Sequence, residues 1–394
     1  MLRKEINIMK SNKIKITSKS IIKENQKFSL NLFKKPFCAK EKKEYKHKEI
    51  INYKNKKFWN SSKEFNKFGK VLFVSGPGRQ GNHLAISLLD NNPEIFPNIG
   101  EDKFIENFFN NYKVDNKETI KKATSKNSYK FLLNLSGLNN FNKWKALWLA
   151  EKRKYIPKTH SGNEKNKKWY TDYKGFVPKI NYPKFSSVLK NLQNQINKNS
   201  TFLEIFKNYL IATNSLLDIK KNKFKINYRF AGSSLRRELF YLFEKTSNVY
   251  CVAPIRKFES FYFSFAKSYH GETEIREDLL NEAWEHWRHK VIDYLLLKKQ
   301  YPNKIIIVRF EDLIGSPLST YKKLCIKLKV NQSVKGLKTK ILGKEVKGNS
   351  SKTEKNKRNK FGIYTPAGNK FDFDKSIMPR EYKDIVKLID KYSI

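Results

Sequence analysis

Val71-Leu72-Phe73-Val74-Ser75-Gly76-Pro77-Gly78-Arg79-Gln80-Gly81-Asn82-His83-Leu84-Ala85-Ile86-Ser87-Leu88-Leu89-Asp90 is the stretch on which the reading of the chain turns. An apolar, β-branched run meets three glycines within six positions, and an apolar run of helical spacing follows. The order is strand, tight glycine loop, helix. A loop in that place aims backbone N–H groups and the positive end of a helix at an anion, and its glycines let the backbone approach closely. Gly76-x4-Gly81 has the Walker A glycine spacing, but Asn82-His83 stand where that motif has Lys-Ser or Lys-Thr. The cation lies within the loop instead, as Arg79, whose planar fork suits a sulfate or phosphate oxygen. A tight turn that binds nothing is the alternative reading.

Outward from this loop the pattern alternates. Strands are predicted at 223–230, 249–255 and 304–310, and helices at 233–245, 258–269, 277–299, 317–328 and 379–392, the last with Pro at its start. Strands separated by helices predict βαβ units around a parallel sheet covered on both faces. Residues 110–222 are Lys- and Asn-rich, with helical stretches at 143–152 and 202–217, and read as a largely helical insertion. Residues 1–70 carry 21 Lys and Arg against 6 Asp and Glu with little periodicity, and read as a basic, poorly ordered arm before a domain at 71–394. A helical extension packed on the domain is the other reading of that arm.

The 394 residues include 29 Phe, 20 Tyr and 6 Trp, too aromatic for a disordered chain. No apolar run reaches the length of a membrane span, and the first 30 residues lack a signal-type apolar core. Three scattered cysteines, Cys38, Cys251 and Cys325, make neither a disulfide framework nor a zinc site, so a reducing cytoplasm is expected. His286 and His289 have helical spacing, but no Cys or carboxylate cluster completes a metal site, and they read as surface histidines. The formal charge is +45, yet only 12 of the 82 basic residues are Arg. Lys, Asn, Ile and Phe are enriched together, which reads as compositional bias rather than a nucleic-acid-binding face.

Residues 74–84 with Leu88-Leu89-Asp90 and Pro93-Glu94-Ile95 resemble the 5′-phosphosulfate loop of sulfotransferases that use 3′-phosphoadenosine 5′-phosphosulfate. Arg79 matches the family's cation, while Gln80 and Asn82 replace its hydroxyl residues. The second signature is a strand ending in Arg with Ser eight residues on, which in the family bind the 3′-phosphate; Arg256 and Ser264 have that spacing, with Lys257-Phe258 in place of Asp-Pro. An alignment on Pro254 would select Ser260 instead. Lys304 to Leu313 followed by Pro317 is similar to the family's Arg-Tyr-Glu-Asp-Leu segment. Gly348-Asn349-Ser350-Ser351 and Phe361-Gly362-Ile363 resemble the loop that closes over the nucleotide, with Lys355, Lys357 or Arg358 as its cation.

The resemblance implies a three-layer, P-loop-like α/β fold and transfer of a sulfuryl group to a hydroxyl, most directly of a glycan, with no metal and no specific nucleic acid. It implies donor contacts from Gly76, Gly78, Arg79, Gln80, Gly81, Asn82, His83, Arg256, Ser264, Ser350 and Arg358. For the general base it leaves Glu106 and Glu101, or His160 of Lys158-Thr159-His160, open. Arg229 matches the family's mid-sheet Lys or is an ordinary strand-end residue. Trp144, Trp148 and Trp169 read either as an acceptor cleft or as core. A P-loop kinase and a basic nucleic-acid-binding protein are the competing functions.

Overall fold

Six of the seven residues of β1 (Lys70–Gly76) are buried, which requires covered faces and paired edges on both sides. The computed structural model supplies both, and it describes residues 65–96, 104–111, 182–195, 200–215, 224–233, 235–270, 275–332, 334, 337–341, 344–345, 361, 363 and 378–394. β1 lies between β2 (Ile226–Ser233) and β3 (Val249–Ile255), and β4 (Ile305–Arg309) follows β3. All of these pairings are parallel, in the order β2-β1-β3-β4. The sequence expectation of a central parallel sheet flanked by helices is what the structure shows.

Alternation along β1 sends its side chains into two cores. Leu72 and Val74 meet helices α1 (Asn82–Leu89) and α9 (Pro317–Leu328) through Leu84, Leu88, Tyr321 and Leu324. Val71 and Phe73 meet the opposite layer, with Phe104 and Phe108 of α2 (Phe104–Asn111), Phe202, Phe206 and Tyr209 of α4 (Phe202–Asn214), and Leu239 of α5 (Arg236–Lys245). The same layer holds α6 (Phe258–Phe265), α7 (Glu277–Gln300) and α10 (Glu381–Tyr392). Helix α3 (Tyr182–Gln193) packs on α4, where Phe185 meets Tyr209 edge-on at 6.3 Å. Short α8 (Phe310–Gly315) links β4 to α9, and β5 (Lys340–Ile341) pairs antiparallel with β6 (Lys344–Glu345).

Several boundaries differ from the sequence reading. β2 runs three residues further than the predicted strand, because Ala231, Gly232 and Ser233 continue opposite Val74, Ser75 and Gly76. The aromatic helix changes to a π-turn at Ala266–His270. Residues 65–70, assigned above to the arm, belong to the folded body: Phe65 is fully buried and stacks on Phe206 at 5.9 Å. Of the predicted insertion, α3 and α4 are helical, while the stretch expected at 143–152 lies outside the described residues. At the far edge the C-terminus extends the sheet, with the Ile394 N–H donating to the Ile307 carbonyl at 3.1 Å.

Candidate active site

In an open parallel sheet, ligands bind outside the carboxyl ends of adjacent strands whose connections leave toward opposite faces. Here those strands are β1, which leads to α1 on one face, and β3, which leads to α6 on the other. The ground beneath this crevice is a buried polar network. Ser75 Oγ and the Tyr294 hydroxyl are 2.7 Å apart, and the Leu235 N–H donates to both, at 3.3 and 3.1 Å. Burial raises the Tyr294 phenol well above its ordinary pKa, so it stays neutral and holds the end of β1 against α5 and α7.

The glycine loop closes on itself. Asn82 Oδ1 accepts from the Gly76 N–H at 2.9 Å, and its Nδ2 donates to the Gly76 carbonyl at 3.2 Å. Asn82 therefore clasps both ends of the loop, a role its residue type alone did not reveal. Gly76 is required by space, since a Cβ there would lie 2.4 Å from the Pro254 carbonyl. Gly81, the N-cap of α1, has φ +101°, and a Cβ on it would lie 2.4 Å from Phe310 Cδ2. Between them Arg79 takes a left-handed backbone at φ 64°, a strained state for a side chain with a Cβ. Gly78 faces open space.

Two guanidinium groups converge on this loop. Arg79 Nε donates to Ser264 Oγ at 3.3 Å, and Arg256 Nε donates to Ser260 Oγ at 3.0 Å. The two serines lie one turn apart on α6, so a single helix face anchors both cations. The alternative serine of the sequence reading is thus the one that holds Arg256, while Ser264 holds Arg79. Arg256 lies over the Phe310 ring, 4.1 Å from its centroid, and its carbonyl accepts from Trp287 Nε1 at 2.8 Å. The Arg256 N–H donates to Gln80 Oε1; Gln80 is fully buried, and its Nε2 finds no acceptor among the described residues. Glu311 Oε1 accepts from Ser260 Oγ at 3.2 Å and from the Lys257 N–H at 3.1 Å, which fixes the serine that fixes the arginine.

The electrostatics match a site built for an anion. Burial lowers the Arg256 pKa to about 10, a shift opposed by Glu311 and assisted by Arg79. Arg79 keeps exposed surface, yet partial burial of its guanidinium away from water lowers its pKa as well, with nearby Tyr269 opposing the shift. Both stay charged at neutral pH. Each spends Nε on a serine, and among the described residues neither forms an ion pair with a carboxylate. Two anchored cations beside a helix start offer what a doubly anionic ligand requires.

Glu106 lies in the first turn of α2, close enough to Glu238 to help burial raise that carboxyl's pKa; Arg237, 3.1 Å from Glu238 Oε1, acts against the shift. Glu101, His160, Ser350, Arg358, Lys355, Lys357, Trp144, Trp148 and Trp169 lie outside the described residues. Arg229 is opposite Leu72, well inside the strand. His286 is half-buried rather than a surface residue: it stacks on Phe261 at 6.0 Å, and burial with Lys290 nearby lowers its pKa to about 4. Among the described residues no group of three or more His, Cys, Asp or Glu gathers as a metal site, and no helix is long and apolar enough to cross a membrane.

No protein-family profile and no curated protein matches the chain. Among solved structures it is similar to the sulfotransferase domain from the Synechococcus PCC 7002 olefin synthase, at 14% identity over 82% of this chain and 94% of that one, with a TM-score of 0.45. The sulfotransferase domain from the curacin biosynthetic pathway is also 14% identical, over 72% and 81% of the two chains, with a TM-score of 0.38. For sulfotransferase STF1 from Mycobacterium tuberculosis H37Rv the values are 14%, 70% and 73%, with a TM-score of 0.33.

Proposed function

We propose that the chain is a sulfotransferase that moves a sulfuryl group from 3′-phosphoadenosine 5′-phosphosulfate to a hydroxyl. The carrying observation is the pair of guanidinium groups, Arg79 within the glycine loop and Arg256 at the end of β3, anchored through Nε on serines of one helix. A ligand with anionic groups at both ends of a nucleoside fits two such cations. The open space at Gly78 leaves room for a phosphosulfate against the loop backbone. When bound, the donor supplies an activated sulfuryl group whose leaving group is a phosphate.

Arg79 and the first amides of α1 neutralise charge at the transferring end. Arg256, steadied by Ser260 and Glu311, holds the 3′-phosphate and so sets the register of the nucleotide. Glu106, in the first turn of α2 and near Glu238, is the described candidate for taking the acceptor proton. A glycan hydroxyl is the acceptor implied by the sequence resemblance. The Walker-like glycine spacing keeps a kinase as the rival, but Asn82 uses its amide to clasp Gly76 where a P-loop presents Lys to phosphates.

Calorimetric titration with 3′-phosphoadenosine 5′-phosphate beside ATP, with and without Mg²⁺, tests the reading. Metal-independent micromolar binding that needs the 3′-phosphate and is lost in Arg256→Ala is expected. Preference for Mg-ATP would move the chain to phosphotransfer.

A further inference from the structure

Phe310 touches both halves of the site. Its Cδ2 lies 2.4 Å from where a Cβ on Gly81 would be, so the ring rests directly on the loop backbone at the start of α1. Its face carries the Arg256 guanidinium at 4.1 Å. The ring is 9% exposed and wedged within the core formed by α1, α9 and the sheet. The next residue, Glu311, fixes Ser260, and Ser260 fixes Arg256 Nε. From the other side Gln80 of the loop accepts from the Arg256 backbone N–H.

We infer that Phe310 is a positioning residue that couples the glycine loop to Arg256, so that the cation for the second anionic group stands at a fixed distance from the loop. The inference rests on the proposed donor site and adds to it a source of selectivity. Without the ring, Arg256 keeps one tether at Nε and its guanidinium plane is free to turn. An aliphatic side chain fills the space but gives no π-face to hold that plane. The consequence falls on ligands that use Arg256 and spares those that use the loop alone.

The test is calorimetry of the full chain with 3′-phosphoadenosine 5′-phosphate and with adenosine 5′-monophosphate, which lacks the 3′-phosphate. The proteins are wild type, Phe310→Leu, Phe310→Met, Phe310→Tyr and Arg256→Ala, each with its melting temperature. In the Leu and Met variants the preference for the 3′-phosphate drops about tenfold, the scale of a desolvated cation–π contact, while monophosphate binding stays within about twofold. Phe310→Tyr restores the preference, and Phe310→Met adds no loss in the Arg256→Ala background. Equal weakening of both ligands, or an unchanged preference, overturns the inference. A wild type with no preference for the 3′-phosphate instead sinks the donor reading itself. Should the aliphatic variants unfold, the wild-type Arg256 Nε–H proton, assigned by its loss in Arg256→Lys, decides: an upfield ring-current shift is expected, and a random-coil position overturns the stacking.

Discussion

Arg79 joins a strained backbone to the side chain proposed to meet the donor's charge. Its left-handed φ of 64° costs a residue with a Cβ about 1–2 kcal/mol, whereas glycine avoids that strain but gives up about 0.5–1 kcal/mol to its freer unfolded chain. Arg79→Gly therefore leaves thermal stability within about 1 kcal/mol of wild type. It also removes a charge-assisted contact worth about 1.5–3 kcal/mol, so affinity for 3′-phosphoadenosine 5′-phosphate falls at least about tenfold. Paired melting and calorimetry check both halves; a large loss of stability would mean that Arg79 braces the loop rather than serving a ligand. Arg256 adds a pH signature. With its pKa lowered to about 10, it loses charge in the folded state before it does in the unfolded chain. Between about 10 and the ordinary guanidinium value the unfolded chain binds more protons, so this group's contribution to stability rises with pH there. Anion binding moves the opposite way. The affinity ratio of wild type to Arg256→Ala is level to about pH 9 and shrinks above about pH 10; a ratio flat through pH 11 would place the ligand away from Arg256.

Elements here are held by a few buried polar contacts as well as by the cores. Helix α10 docks through Glu381 Oε2, 2.8 Å from Arg288 Nε on α7, with both side chains 6–7% exposed. Glu381 Oε1 has no partner among the described residues, so this pair is only partly compensated for its desolvation. Glu381→Ala removes the buried carboxylate from Arg288, which keeps contacts to Glu285 and His289, and costs about 3 kcal/mol, while Arg288→Met with Glu381→Leu recovers most of that loss. Urea unfolding of Glu381→Ala, Arg288→Met, Glu381→Leu and the double variant measures this, and a double variant whose cost is the sum of its two singles would contradict it. Elements of this kind were legible in the sequence to different degrees. β1, its loop and α1 could be read because strand and helix periods are local. The assignment of Ser260 and Ser264 to two different arginines could not, because it depends on which face of α6 meets the loop across the crevice. The clasp of Asn82 on Gly76 was hidden for a related reason: an asparagine after a glycine loop is as compatible with a cap as with a ligand contact. Phe310 read as part of a structural segment, and only its approach to Gly81 shows why a ring stands there.

At the scale of the whole molecule the chain builds its site from distant halves. β1 lies at the centre of the sheet, with Val71 facing Tyr228 on one side and Val249 on the other. Arg79 comes from the first half and Ser264, Arg256 and Phe310 from the second. Such topology forces non-local pairing before any core closes, which makes folding slow and partial chains unstable. A fragment from residue 221 onward contains β2, β3 and β4 but lacks the strand that joins β2 to β3. A fragment ending at 220 contains β1 with neither neighbour. Neither should show a cooperative thermal transition by circular dichroism. Expressed together they should recover one, because the cut falls between α4 and β2, outside every described strand. Binding of 3′-phosphoadenosine 5′-phosphate then reports assembly independently, since the two arginines arrive on different fragments. If the C-terminal fragment melted cooperatively alone, β1 would be an addition to a sheet that closes without it. If the mixture melted cooperatively yet bound no ligand, the sheet would form without bringing the loop to Arg256.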